Sequence, residues 1–211
     1  MPTRSDQPRD ESKPWSTASA VIATEADAPG GLYARLLGSS WLQLAEPVRF
    51  AHASSMACAN GRLRIAHGRG RVARVLAVML RLPRANGAAE TRLVVISRGD
   101  VQHWRRTFDD RCLTTRQYAT GVGELGERIG ILEFRFRLEA SNGSLIFRQV
   151  EAAVVCGPVR VRIPAAWAPR VDAREDPVGA RRIGIRVCLV LPAVGPLLTY
   201  DGTITIEEPR E

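Results

Sequence analysis

Three histidines, four cysteines and a scatter of carboxylates are the residues of this chain with chemistry to offer. His52 and His67 bracket Cys58, from which a metal site can be imagined. His103 stands far off and no fourth ligand has recognisable spacing, so no metal is expected. Cys58, Cys112, Cys156 and Cys188 fall nowhere in a C-x-x-C spacing, which removes zinc ribbons and dithiol redox motifs. Asp109 and Asp110 read as turn residues. Asp172, Glu175 and Asp176 lie on an exposed-looking stretch beside Arg170 and Arg174, and read as solvated or ion-paired. Glu127 is different. It shares an alternating face with Leu125 and Ile129. If that face points inward, the carboxylate is buried and needs a partner, and Arg106 is the expected one. A structural pair is favoured over a catalytic one, and no Ser/His/Asp or Cys/His set can be assembled from local sequence. His67-Gly68-Arg69-Gly70-Arg71 precedes a helix and has the parts of an anion site, but it lacks a Walker pattern and reads first as a turn. Gly121-Val122-Gly123-Glu124-Leu125-Gly126 reads as a loop or bulge between strands. No cofactor is implied.

Composition sets the frame for these residues. The chain has 211 residues, 45% hydrophobic and 25% charged, enough for one sizeable domain with a core. The formal charge is +8, yet Lys13 is the only lysine. Nucleic-acid surfaces usually mix Lys with Arg, so this charge reads as an Arg-rich composition, and no specific nucleic-acid partner is expected. The first 29 residues hold three basic and five acidic side chains without apolar periodicity, and read as a disordered tail before a single β-rich domain over 30–211. No secretory signal of the usual kind is visible. The most apolar stretch, Val187 to Leu198, is broken by Pro192, Gly195 and Pro196 and falls short of the roughly 20 residues a spanning helix needs. The expected compartment is the cytoplasm, with reduced thiols, and only weak membrane-surface contact is left open.

Periodicity supplies the elements that must position the candidates. Helical spacing runs from Gly31 to Gly38, a second short helix begins near Pro47, and a third runs from Val72 to Leu82, closed by Pro83. Strands follow. Arg62–Ile65, Trp104–Phe108, Glu133–Glu139, Val159–Ile163 and Ile183–Leu189 alternate in hydrophobicity. Asn142-Gly143 is a strong hairpin signal. About ten strands joined by short turns predict a mainly β fold. The expected form is an antiparallel barrel or half-barrel, lipocalin-like in general shape, with two or three short helices near the N-terminal part. Its expected ligand-lining residues are Trp104, Arg106, Phe108, Glu127, Phe134, Phe136 and Phe147. An apolar turn over Leu191–Leu198, with Val194 and Leu197, is expected to meet the third helix through Leu76, Met79 and Leu80. The structural reading is a closed barrel end. The functional one is a portal at which Arg71, Arg74 and Arg81 draw in an anionic headgroup.

Several segments in order carry a resemblance. They are Val48-Arg49-Phe50-Ala51-His52, Gly68-Arg69-Gly70, Trp104-Arg105-Arg106-Thr107-Phe108, Glu127-Arg128-Ile129-Gly130, Phe134-Arg135-Phe136, Ala168-Pro169-Arg170-Val171 and Leu191 to Gly195 running on to Tyr200-Asp201-Gly202. This set resembles the bacterial family catalogued as domain of unknown function 4166, over about residues 30–207. Ile129 stands where that family often has Phe. The resemblance implies no catalytic residues. It also implies that members occur joined to a nicotinamide-dependent oxidoreductase resembling saccharopine dehydrogenases or epimerases, for which the first 30 residues here leave no room. Three functions therefore stand as expectations: a non-catalytic barrel that binds an apolar or amphipathic small molecule, an interaction or substrate-presenting module for such an oxidoreductase, and an enzyme using a buried Glu/Arg pair.

Overall fold

The computed structural model describes residues 31–79, 87–109, 111–192 and 194–207. The expected tail, Leu80, Arg81 and Asp110 lie outside the described residues, as do the side chains of Leu76 and Met79. The chain opens with α1 (Gly31–Leu37), a tight 3-10 turn over Gly38–Gln43 and α2 (Glu46–Ala53). Gly38 ends α1 at a φ of 55°, in the left-handed region that glycine enters at no steric cost. Pro47 sits in the first turn of α2, where its missing N–H is not needed. Then come β1 (Met56–His67), α3 (Arg71–Met79), β2 (Gly87–Arg98), β3 (Val101–Phe108), β4 (Arg111–Gly121), β5 (Glu124–Ile129), β6 (Leu132–Ser141), β7 (Ser144–Cys156), β8 (Val159–Arg162), β9 (Arg170–Gly179), β10 (Arg182–Leu191) and β11 (Gly195–Ile206).

Every strand pairs antiparallel with its neighbours in the order β6-β5-β4-β3-β2-β1-β11-β10-β9-β7, and β6 pairs with β7 to close the ring. The fold is a closed ten-stranded antiparallel barrel, not an open half-barrel. At Asn142-Gly143, φ values of 51° and 81° make the tight hairpin that joins β6 to β7. Where β1 meets β11, a side chain at Gly61 would strike the Thr203 backbone oxygen at 2.1 Å, so the close approach that bends the wall requires glycine. Most side chains lining the interior are apolar, with Arg106, Glu127 and Glu175 among the charged exceptions. Among the described residues no helix is long and apolar enough to cross a membrane.

Two strands depart from the sequence expectation. Val159 and Val161 were expected to bury one face, but β8 pairs only with β7, outside the ring, and both valines are more than half exposed. Its partly covered residue is Arg160. The stretch over Asp172–Asp176 was expected to be exposed and either solvated or ion-paired; Asp172 and Arg174 are exposed and Arg174 pairs with Asp176, but the segment is a strand. It is β9, a barrel stave that pairs with β7 and β10.

Candidate functional site

Alternation along the strands decides which side chains enter the barrel. β3 turns Trp104, Arg106 and Phe108 inward, β4 turns Leu113, Thr115 and Gln117, and β5 turns Glu127 and Ile129. Phe134, Phe136 and Phe147 come from β6 and β7, and Tyr200 from β11. These side chains leave a cavity of about 100 Å³. All seven expected lining residues border it, and Ile129 lines it as well.

The helices α1 and α2 stop one end. Ala45 N–H bonds to the Gly143 carbonyl at the β6–β7 turn, and Ser97 N–H bonds to the Ser55 carbonyl after α2. They insert two side chains among the strands. The Tyr33 hydroxyl donates to Gln117 Oε1 at 2.7 Å, and His52 Nε2 lies 2.7 Å from Glu175 Oε2. The two rings pack with centroids 3.9 Å apart, and Trp104 lies 5.4 Å beyond His52. His52 is 1% exposed and its Nδ1 has no hydrogen-bond partner.

Above this floor sits the one guanidinium that lines the cavity wall beside a buried carboxylate. Arg106 Nη1 donates to Thr115 Oγ1 at 2.9 Å and lies 3.5 Å from Glu127 Oε1. The Arg106–Glu127 juxtaposition is the one expected from the alternation of β3 and β5. Its guanidinium also covers the Trp104 ring at 4.8 Å. Burial opposes the charge on Arg106, but Tyr200, Glu127, Tyr33 and Glu175 around it outweigh burial and hold its pKa above the ordinary value. Burial, reinforced by Glu175 and Glu127, pushes the Tyr33 phenol well up, and burial likewise raises Tyr200, so both stay protonated. At the end away from α1 and α2, the last inward residues are apolar: Phe108, Leu113, Ile129, Val171, Leu189 and Leu198. The cavity therefore has a polar floor and an apolar throat.

Glu175 is the main correction to the sequence reading. It was expected on an exposed stretch, solvated or ion-paired; it is paired, but its side chain is 12% exposed and meets His52 inside the barrel. His52, Tyr33, Gln117 and Tyr200 were not among the expected site residues. The i+4 spacing of Tyr33 with Leu37 put Tyr33 on the buried face of α1, which was the one available signal. Of the portal residues, Arg74, Val194 and Leu197 have described side chains. Arg74 is exposed, Val194 is half-buried, and Leu197 is buried on the opposite face of β11 from Leu198; none of these three lines the cavity. α3 packs against β11, where Ala73 is buried. The helical stopper is thus α1 with α2. Among the described residues no group of three or more metal-binding side chains occurs.

Comparison with known proteins returns one family, described as "Domain of unknown function (DUF4166)", which matches residues 44–204. The chain matches no curated protein and no solved structure.

Proposed function

The chain belongs to the DUF4166 family, and for this member we propose a non-catalytic barrel that binds an amphipathic small molecule with its polar end on the floor and its apolar part in the throat. One observation carries the reading: the ring of strands is closed, yet its interior is left partly unfilled between a polar floor and an apolar throat. Protein interiors normally pack to crystal density, so an unfilled, polar-floored interior is a space kept for something. The four cysteines carry no disulfide, which fits a reducing cytoplasm.

The test is uptake of phenylnaphthylamine, a neutral apolar fluorophore, by the purified protein, beside native mass measurement for a copurified molecule. Val187 lines the cavity, and Val187→Phe should fill it and abolish uptake while the protein stays folded. No uptake by the wild type, or equal uptake by the filled variant, would sink the reading.

A second reading is catalysis by the buried Glu/Arg pair. It is favoured by the 3.5 Å approach of Glu127 to Arg106 beside the open space, where a carboxylate could act as a base on a bound molecule. A copurified molecule that is consumed by wild type but not by Glu127→Gln would favour it over simple binding.

A further inference from the structure

The charge of the interior points to the ligand's head. Three ionised side chains lie around the floor: Arg106, Glu127 and Glu175. With His52 neutral they sum to one negative charge, and with His52 protonated to none. In neither state does the interior hold a spare cation. Among the described residues Arg106 is the guanidinium set beside both buried tyrosines, and it is already committed to Thr115, Glu127 and the face of Trp104. Arg174 also borders the cavity, but its Nε is bound to Asp176 at 2.6 Å and its side chain is 44% exposed. A carboxylate or phosphate entering here would have to displace Glu127 from Arg106 and lie beside two carboxylates, in a buried interior where like charges repel more strongly than in bulk water.

The groups short of partners say what the head should offer. Glu127 has its 3.5 Å ion pair and, among the described residues, no hydrogen bond at normal distance. Among the described residues nothing hydrogen-bonds the Tyr200 hydroxyl either, which borders the cavity while its ring packs 5.6 Å from the Phe108 ring, centroid to centroid. A carboxylate can only accept and a phenol can do both. Resting on the binding reading above, we infer that the ligand carries no negative charge and presents a hydrogen-bond donor, as a hydroxyl on an apolar body does, to Glu127 and Tyr200. This sets the interior against the fatty-acid-like ligands that the arginines flanking α3 suggest from sequence.

Three probes of matched size separate the possibilities: octanol, octanoate and methyl heptyl ether, each titrated against bound phenylnaphthylamine at neutral pH. Octanol should displace the fluorophore at a concentration about tenfold or more below octanoate, and below the ether, which accepts but cannot donate. In Glu127→Gln, where Arg106 is released from its counter-charge, octanoate should gain about tenfold and approach octanol. Octanoate equal to or tighter than octanol in the wild type overturns the inference. So does an ether equal to octanol, a fluorophore that none of the three displaces, or a folded Glu127→Gln protein with unchanged octanoate binding. If Glu127→Gln fails to fold, the wild-type series alone decides. If the fluorophore itself never enters, the binding reading has failed, and that outcome is distinct from the wrong head being preferred.

Discussion

The barrel wall carries a charged cluster on each face, and the two are completed to different degrees. Outside, Glu133 accepts hydrogen bonds from the Tyr118 hydroxyl, from Arg160 Nε at 2.7 Å and from Arg135 Nε at 3.4 Å. Glu151 is held by Arg160 and by Arg162 Nε at 3.2 Å. Every carboxylate there has at least two partners, and together they clamp the β8 arm onto β6 and β7. Inside, Glu127 touches one arginine at 3.5 Å, and among the described residues neither His52 Nδ1 nor the Tyr200 hydroxyl has a hydrogen-bond partner. Buried polar groups left short of partners cost stability, so a fold that keeps them beside a cavity is spending stability there for a reason other than folding. The outer cluster is structural glue; the inner one is where a ligand would complete the network.

The largest effect should come from breaking the inner pair one-sidedly. Arg106 and Glu127 side chains are 16% and 13% exposed. Arg106→Met leaves Glu127 as an uncompensated buried carboxylate and should cost about 3–5 kcal/mol in denaturant unfolding. Arg106→Met combined with Glu127→Leu should recover most of that loss, because an apolar pair of similar volume needs no compensation. A single variant costing well under 1 kcal/mol would mean that solvent reaches the pair freely and that the interior is not the dry site described.

The outer cluster should respond more mildly and without touching uptake. Glu133→Ala leaves the Tyr118 hydroxyl without its acceptor and Arg160 with Glu151 alone, and should cost about 1–3 kcal/mol, with phenylnaphthylamine uptake unchanged. Lost uptake would mean that the two faces are not independent. The same cluster sets the pH limits. Burial works against ionisation of Glu133, but hydrogen bonds from Tyr118 and Arg160 outweigh it and hold its pKa below the ordinary carboxylate value. Such a group adds stability above its unfolded pKa of about 4.3, lost as pH falls through the lower folded value. Below about pH 4.3 the wild type should therefore lose more stability than Glu133→Ala. Burial, then the bond to Glu133, pushes Tyr118 up to about 12. A raised phenol adds stability below its unfolded pKa of about 10, lost as pH rises from about 10 toward 12. Tyr118→Phe should lack that alkaline loss, which thermal melts across pH 9 to 12 would read.

The two faces also differ in how far the sequence reveals them. The barrel class and the cavity lining follow from alternation, because Phe134 and Phe136 against Arg135 and Arg137 mark inside and outside in one strand. The Glu127–Arg106 pair is legible for the same reason. β9 is not, because Asp172, Arg174 and Asp176 alternate with Val171, Ala173 and Glu175, so the inward face itself carries a carboxylate and the pattern looks polar throughout. Closure is not legible either, since it rests on the register between β6 and β7, two long strands whose pairing includes a bulge at Arg135/Phe136. The stopper depends on α1 and α2 reaching Gln117 and Glu175, 84 and 123 residues away in sequence. Nothing local to Tyr33 or His52 announces those partners. β8 misleads in the opposite sense: Val159 and Val161 alternate like core residues but lie exposed, while the charges on its other face are the ones held.

The smallest effect should be the most informative about the floor. His52 Nε2 faces Glu175 Oε2 at 2.7 Å, so Nε2 carries the shared proton and Glu175 accepts it, while Nδ1 faces no acceptor. Glu175→Gln keeps an acceptor oxygen of the same reach and removes only a charge. If the bond is a hydrogen bond between a ring N–H and an oxygen, stability should change by less than about 1 kcal/mol. Glu175→Leu removes the acceptor itself, leaves a buried N–H unsatisfied and should cost about 1–3 kcal/mol. The gap between the two variants isolates the hydrogen bond from the charge. Equal losses in Gln and Leu would show that it is the charge on Glu175 that His52 needs, and the interior would then have to be counted as neutral. If instead Gln is tolerated and Leu is not, the His52–Glu175 contact is a hydrogen bond from a neutral ring and the negative interior stands; Glu175→Gln then removes one negative charge from it, and the preference for octanol over octanoate should shrink in that variant.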